Sequence, residues 1–166
     1  VTADMARTIV ANKTAGYTIV RPLQLGAAMA GSPELADALA AHGMPLGIAF
    51  QLRDDMLGAF GDSAKTGKPV GDDLREGKPT VMLALAREAA SASQCSVLDR
   101  VGPSATDADV DAIQQVMIDT GAVGKIGDEI ERLLDEALQA IDALPDVNGS
   151  RAALRALADF VVDRDT

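Results

Sequence analysis

The densest group of residues able to do chemistry is Phe50-Gln51-Leu52-Arg53-Asp54-Asp55. On a helix Gln51 lies one turn before Asp54 and Asp55, so the amide and both carboxylates can share a face. Adjacent carboxylates repel each other unless a cation neutralises them. Oxygen-only ligands of this kind suit Mg²⁺, which keeps several waters and bridges to substrate phosphates. Taken alone, two adjacent aspartates are more often a solvated acidic face. Their surroundings add to the picture. The apolar run Leu46-Gly47-Ile48-Ala49-Phe50 precedes them and points to a helix buried on both sides. A glycine-rich stretch from Gly61 to Lys78 follows, carrying Lys65, Lys68, Arg75 and Lys78. Backbone N–H groups and cationic side chains in such a stretch can wrap a phosphate. Residue chemistry by itself leaves both a diphosphate site and an ordinary surface loop open.

The elements that must position these residues read as helices. A first helical segment runs from Thr2 to Val20, where Pro22 should end or kink it. A second, Leu23 to Ala30, stops at Gly31. Ser32-Pro33-Glu34 reads as an N-cap, a first-turn proline and an acidic first turn. The pattern then runs to Phe60 and stops at Gly61, with a kink or break expected near Gly43 because of Pro45. The stretch 61–78 reads as a long loop, an uncommon feature that is usually functional or disordered. Helical pattern returns from Pro79 to Ala92 and again from Gln94 to Val101. Asp107 caps a helix from Ala108 to Thr120. Ala122 to Leu144 is amphipathic, with Ile126, Ile130, Leu133, Leu134, Ala137 and Ile141 on its apolar face. Ser150 caps a last helix to Asp163. The expectation is a single all-α unit over residues 1–166.

Composition agrees and excludes several functions. The chain has 166 residues, 15 basic against 25 acidic, for a net charge of −10, and only 2% aromatic residues. A core of Ala, Leu, Val, Ile and Met favours packed helices over a β-sandwich or barrel. The acidic balance and the shortage of stacking groups speak against nucleic-acid binding. No apolar run reaches the roughly 18 or more residues that cross a membrane, and Val1-Thr2-Ala3-Asp4 does not open as a signal peptide does. A cytoplasmic setting is expected. Cys95 is the only cysteine, so it builds no disulfide and no cysteine-based metal site; it reads as a buried small hydrophobe, and His42 as a surface or cavity-rim residue.

Three separate stretches carry a resemblance to a known family. Residues 47–62, Gly-Ile-Ala-Phe-Gln-Leu-Arg-Asp-Asp-Met-Leu-Gly-Ala-Phe-Gly-Asp, with residues 66–78, Thr-Gly-Lys-Pro-Val-Gly-Asp-Asp-Leu-Arg-Glu-Gly-Lys, resemble the second aspartate-rich region of trans-isoprenyl diphosphate synthases. Lys13-Thr14-Ala15 resembles that family's Lys-Thr motif, and residues 157–165 resemble its C-terminal helix. The resemblance implies the C-terminal part of the isoprenoid synthase helical bundle, around a deep cavity. It also implies the family's reaction, in which an allylic diphosphate ionises and isopentenyl diphosphate attacks the cation, with Mg²⁺ stabilising the departing diphosphate. Carried over by position, Asp54 would be a Mg²⁺ ligand, Asp55 a ligand or its supporting partner, and Asp72 a support for the metal from the loop. Lys13, Lys68 and Lys78 would hold the allylic diphosphate. Lys13, Thr14 and Gln51 would be catalytic, the last two orienting the cation or assisting proton transfer.

The sequence departs from the family twice. The motif is commonly Asp-Asp-x-x-Asp, whereas its third position here is Gly58; Asp62, a further turn along, could contribute through water. The family's chains are about twice as long, and these 166 residues hold no second such motif and no Arg-Arg pair to grip isopentenyl diphosphate. The chain thus resembles the C-terminal half of a synthase. It is expected to act with the other half or as a homo-oligomer, the dimer included. The alternative is a non-catalytic prenyl-diphosphate-binding or regulatory subunit that partners a full-length synthase. A class I terpene cyclase fits less well, because its Asn/Asp-x-x-Ser/Thr-x-x-x-Glu motif is missing from the helices. With a net charge of −10, the protein repels a diphosphate on average, so binding must rest on local basic residues and Mg²⁺.

Overall fold

The computed structural model describes residues 1–61 and 70–163, with side chains to residue 160. Among these residues every regular element is helical. Helix α1 (Ala3–Val10), a π-helical stretch (Ala11–Val20) and α2 (Arg21–Met29) follow one another without a break. After a 3₁₀ turn (Pro33–Leu35) come α3 (Ala36–Phe60), α4 (Asp72–Glu76), α5 (Val81–Ala89), α6 (Ala92–Leu98), α7 (Asp107–Asp119), α8 (Ala122–Asp142) and α9 (Ser150–Asp163). The chain groups into two compact units, one of Val1–Arg7 with the described part of Leu52–Asp128, the other of Thr8–Gln51 with the described part of Glu129–Arg164.

Neither proline breaks its helix. Ahead of Pro22 the backbone has already widened: the Arg21 N–H donates to Gly16 O, an i→i−5 bond. A wider turn relieves the clash between a proline ring and the preceding turn, so the helix passes directly into α2. Pro45 lies inside α3, which stays continuous from Ala36 to Phe60. Ala41, whose carbonyl loses its donor to Pro45, is on the exposed side, where water can take its place. Side-chain caps set several boundaries. Thr80 accepts from Leu83 N–H to open α5. Ser91 forms a capping box with Gln94, which ends α5 earlier than its apolar pattern and starts α6. Thr106, one residue before the expected Asp107, caps α7 with Asp109.

In the second unit, small residues bring the π-helical stretch against α3. A Cβ placed on Gly47 would lie 2.5 Å from Ala15 Cα, and one on Gly43 would lie 3.1–3.3 Å from Leu23, Ile19 and Val20 side chains. Ala15 and Ala49 are fully buried. His42 is also fully buried, not on a surface or rim; its Nδ1 lies 2.9 Å from Ala137 O, and Nε2 has no hydrogen-bond partner among the described residues. Cys95 is half-buried, with Sγ 3.9 Å from Ala90 O.

Gly47→Ala tests the close approach. Helix propensity alone would make this change stabilising by about 1 kcal/mol. The contact with Ala15 reverses the sign: the variant should lose about 1–3 kcal/mol, as overpacked interiors do. Urea denaturation measures it, and a more stable variant would contradict the packing described.

Candidate functional site

The site starts from α4, which the loop reading of 61–78 did not foresee. Gly71 and Gly77 bracket it, both at φ 73°. That left-handed backbone is open to glycine at little cost, so the chain can turn sharply into and out of five helical residues. Leu74 is buried, and its carbonyl accepts from Gly102 N–H at 2.9 Å. Gly71 lies so near α7 that a Cβ on it would come within 2.5 Å of Val110 Cγ1. Arg75 closes back on Val70 O and pairs with Asp107. The guanidinium, one of the cations of the glycine-rich stretch, pins α4 to the start of α7.

This docking fixes two charged groups. Lys78 N–H donates to Asp73 O at 3.0 Å, and Lys78 Nζ donates to Asp73 Oδ2 at 2.8 Å. The same ammonium lies 3.0 Å from Asp55 Oδ1 and 4.0 Å from Asp54 Oδ2 on α3. Asp55 is buried and Asp73 nearly so, while Asp54 is about half exposed. Burial opposes the charge on Lys78, but the hydrogen bond to Asp73 and the charge and hydrogen bond of Asp55 outweigh it. The lysine pKa is therefore raised.

The remaining candidates lie as follows. Thr14 Oγ1 donates to Gln51 Oε1 at 2.7 Å, joining the π-helical stretch to α3 in the second unit. Lys13, beside Thr14, is exposed. Asp72 opens α4, yet the acid of α4 that meets Lys78 is Asp73, one residue on. Lys68 and Asp62 lie outside the described residues. Asp73 escaped sequence reasoning because nothing in Asp72-Asp73 tells which of the two faces α3; the five-residue spacing from Asp73 to Lys78, spanning a glycine turn, was the only available signal.

The donors suit a hard divalent cation. Among the described residues no three acidic, histidine or cysteine side chains form a ready cage for an ion. Mg²⁺ does not require one, since it is typically held by one or two carboxylates with waters and phosphate oxygens. Lys78 Nζ already stands among Asp54, Asp55 and Asp73 as a cation would. The oxygen chemistry of the cluster fits such an ion, with Lys78 as a competing cation for the same oxygens.

This helical architecture is the all-α isoprenoid synthase fold. More narrowly, the polyprenyl synthetase profile matches residues 2–119, and the chain belongs to that family. It is 36% identical to geranylgeranyl diphosphate synthase of Mycobacterium tuberculosis, over 99% of this chain and 47% of the relative. It is also 36% identical to heptaprenyl diphosphate synthase component 2 of Geobacillus stearothermophilus, over 89% of this chain and 45% of the relative. The crystal structure of geranylgeranyl pyrophosphate synthase from Corynebacterium glutamicum, complexed with isoprenyl diphosphate and magnesium, superposes with a TM-score of 0.93 at 45% identity, covering 98% of this chain and 47% of that one. The chain therefore spans about half the length of these relatives. Among the described residues no helix is long and apolar enough to cross a membrane.

The raised lysine pKa fixes the sign of a pH effect. A lysine whose folded pKa exceeds its unfolded value, about 10.4, contributes stability that is whole below the unfolded value and lost as pH rises through the folded one. Lys78→Met should cost about 1–2 kcal/mol, a modest figure because the ammonium is a third exposed to solvent. That cost should stay level between about pH 7 and 9 and shrink only above about pH 10.4. Urea denaturation across pH checks it; no cost, or a cost fading below pH 9, would contradict the ion cluster.

Proposed function

We propose that the chain carries the diphosphate-activating part of a trans-prenyltransferase. In the reaction the C–O bond of an allylic diphosphate breaks, the diphosphate leaves, and the alkene of isopentenyl diphosphate forms the new C–C bond before losing a proton. The observation that carries the reading is the convergence of Asp54, Asp55 and Asp73 on one ammonium, within a family whose relatives include diphosphate synthases. Mg²⁺, when bound, supplies positive charge that neutralises the diphosphate as it departs.

Asp54, the most exposed of the three carboxylates, is the ligand proposed to meet such an ion from the solvent side. Asp55, held by Lys78, orients the pair and limits its mutual repulsion. Lys13, Lys68 and Lys78 supply the basic charge for the diphosphate, and Asp72 supports the metal from α4. Thr14 and Gln51 are assigned to the hydrocarbon end. Their hydrogen bond fixes the Thr14 hydroxyl and the Gln51 carbonyl oxygen against each other, which holds both side chains in place. The product chain and the particular allylic substrate belong to the whole protein, as does a cytoplasmic setting.

Activity is proposed to need either the half-length of sequence that the relatives have in addition or a second copy. Ile9, Tyr17, Leu25 and Met29 on the first continuous helix are exposed apolar side chains, and such groups favour a partner surface. A reading as one subunit of two is favoured by the relative named as a component, heptaprenyl diphosphate synthase component 2.

Asp54→Ala should lower kcat for prenyl transfer by roughly 10²–10³-fold, the loss typical of one group that stabilises departing charge. Excess EDTA should abolish retention of radiolabelled geranyl diphosphate by the wild-type protein. Full turnover by Asp54→Ala, or tight retention in EDTA, would sink the proposal.

A further inference from the structure

The chain has two asparagines, Asn12 and Asn148, and the fold sets them in opposite situations. Asn148 is exposed in the turn that leads into α9, at φ 54°, the one described residue other than glycine with a positive φ; Gly149 follows at φ 78°. Two successive left-handed residues are needed here, and asparagine and glycine are the types that adopt that backbone at least cost. The turn therefore places a primary amide directly before a backbone nitrogen whose own residue has no Cβ to shield it. Among the described residues, neither the Asn148 side chain nor the Gly149 N–H takes part in a hydrogen bond. A Cβ built on Gly149 would meet nothing within 4 Å. Asn12 is also exposed, but it lies inside the π-helical stretch, where its Nδ2 donates to Thr8 O at 2.9 Å. A helical backbone keeps the following nitrogen out of reach of its side chain.

We propose that Asn148 is a self-modification site, at which the Gly149 nitrogen displaces the side-chain amide and the chain ages into a more acidic form. The Gly149 nitrogen gives up its proton and attacks Asn148 Cγ; the N–Cγ bond forms, the Cγ–Nδ2 bond breaks, and ammonia leaves with a proton. Water then opens the succinimide ring at either carbonyl. Opening at Cγ leaves an aspartyl residue. Opening at the Asn148 main-chain carbonyl leaves an isoaspartyl residue, whose main chain runs through Cγ. Nothing is oxidised or reduced. The isoaspartyl product inserts a methylene into a tightly closed turn: Ser150 N–H donates to Val147 O at 3.0 Å, and Val147 N–H to Ser150 Oγ at 3.2 Å. The same turn seats the start of α9, with Arg151 N–H donating to Asp146 Oδ1 at 3.2 Å and Arg151 Nε to Leu144 O at 2.6 Å. The lengthened main chain cannot hold both ends of that closure, so the start of α9 is unseated in the isoaspartyl form and keeps its place in the aspartyl form.

The test is incubation of the native chain in heavy-oxygen water, followed by tryptic digestion in ordinary water and mass spectrometry of the peptides 133–151 and 8–13. Isoaspartyl content is counted by labelling with an isoaspartyl methyltransferase, and the reference is the same chain unfolded in urea. Native Asn148 should convert within about tenfold of its unfolded rate and take up heavy oxygen, because the fold restrains neither the amide nor the nitrogen; Asn12 should be protected by more than about tenfold against its own unfolded rate. Slower native conversion of Asn148 than that, conversion without heavy oxygen, or an Asn12 left unprotected overturns the proposal. The isoaspartyl-rich fraction, isolated by anion exchange, should lose hydrogen-exchange protection at the Ser150 and Arg151 amides. Asn148→Asp, which carries the same added charge on an unchanged main chain, should keep it. Equal protection in the two overturns the unseating of α9.

Discussion

Lys78 brings one ammonium among carboxylates from two separate stretches of chain. Asp55 and Asp73 lie 3.0 and 2.8 Å from it, and Asp54 lies at 4.0 Å. In a protein of net charge −10, buried acids this close would otherwise push apart or take up protons. The lysine holds the charge balance, and the geometry of the site follows from where α4 puts it. Five residues between two left-handed glycines, seated by Leu74 and pinned by Arg75 to Asp107, deliver both Asp73 and Lys78 to the side of α3 that carries Asp55 and Gly58. A short helix that would be unstable alone is made rigid by packing, and its function is placement.

The same economy appears in the other unit. The π-helical stretch and α3 approach so closely at Ala15 and Gly47 that no Cβ fits on the glycine. That approach brings Thr14 within hydrogen-bond reach of Gln51. A widened backbone turn often marks a functional site, and here it also lets Pro22 follow without ending the helix. Small residues set the distance between elements, and polar side chains are then satisfied at that distance.

Much of the fold was legible in the sequence because its punctuation is chemical. Gly31 and Gly61 follow the ends of α2 and α3, and Ser150 opens α9. Periodicity alone placed Ile126, Ile130, Leu133, Ala137 and Ile141 in the core. The errors have physical causes. Pro22 and Pro45 suggested a kink or an end to the helix, because a local rule cannot see a π turn or an exposed carbonyl that water can satisfy; the helix ends at neither. His42 looked like a surface residue because its partner, Ala137 O, is remote in sequence. Helix α4 was hidden in a glycine-rich stretch that reads as loop, so Asp72 stood out no less than Asp73, and Arg75 was simply one more cation of that stretch.

The central claim is that α3 and α4 together present carboxylates to a divalent cation that bridges to a diphosphate. The most direct measurement is anomalous diffraction from crystals grown with Mn²⁺ and inorganic pyrophosphate. The account predicts Mn²⁺ bound through Asp54, directly or by way of water, with Asp73 turned to the same ion and pyrophosphate on its far side. Ions located only away from Asp54 and Asp73, with both carboxylates still facing Lys78, would contradict it.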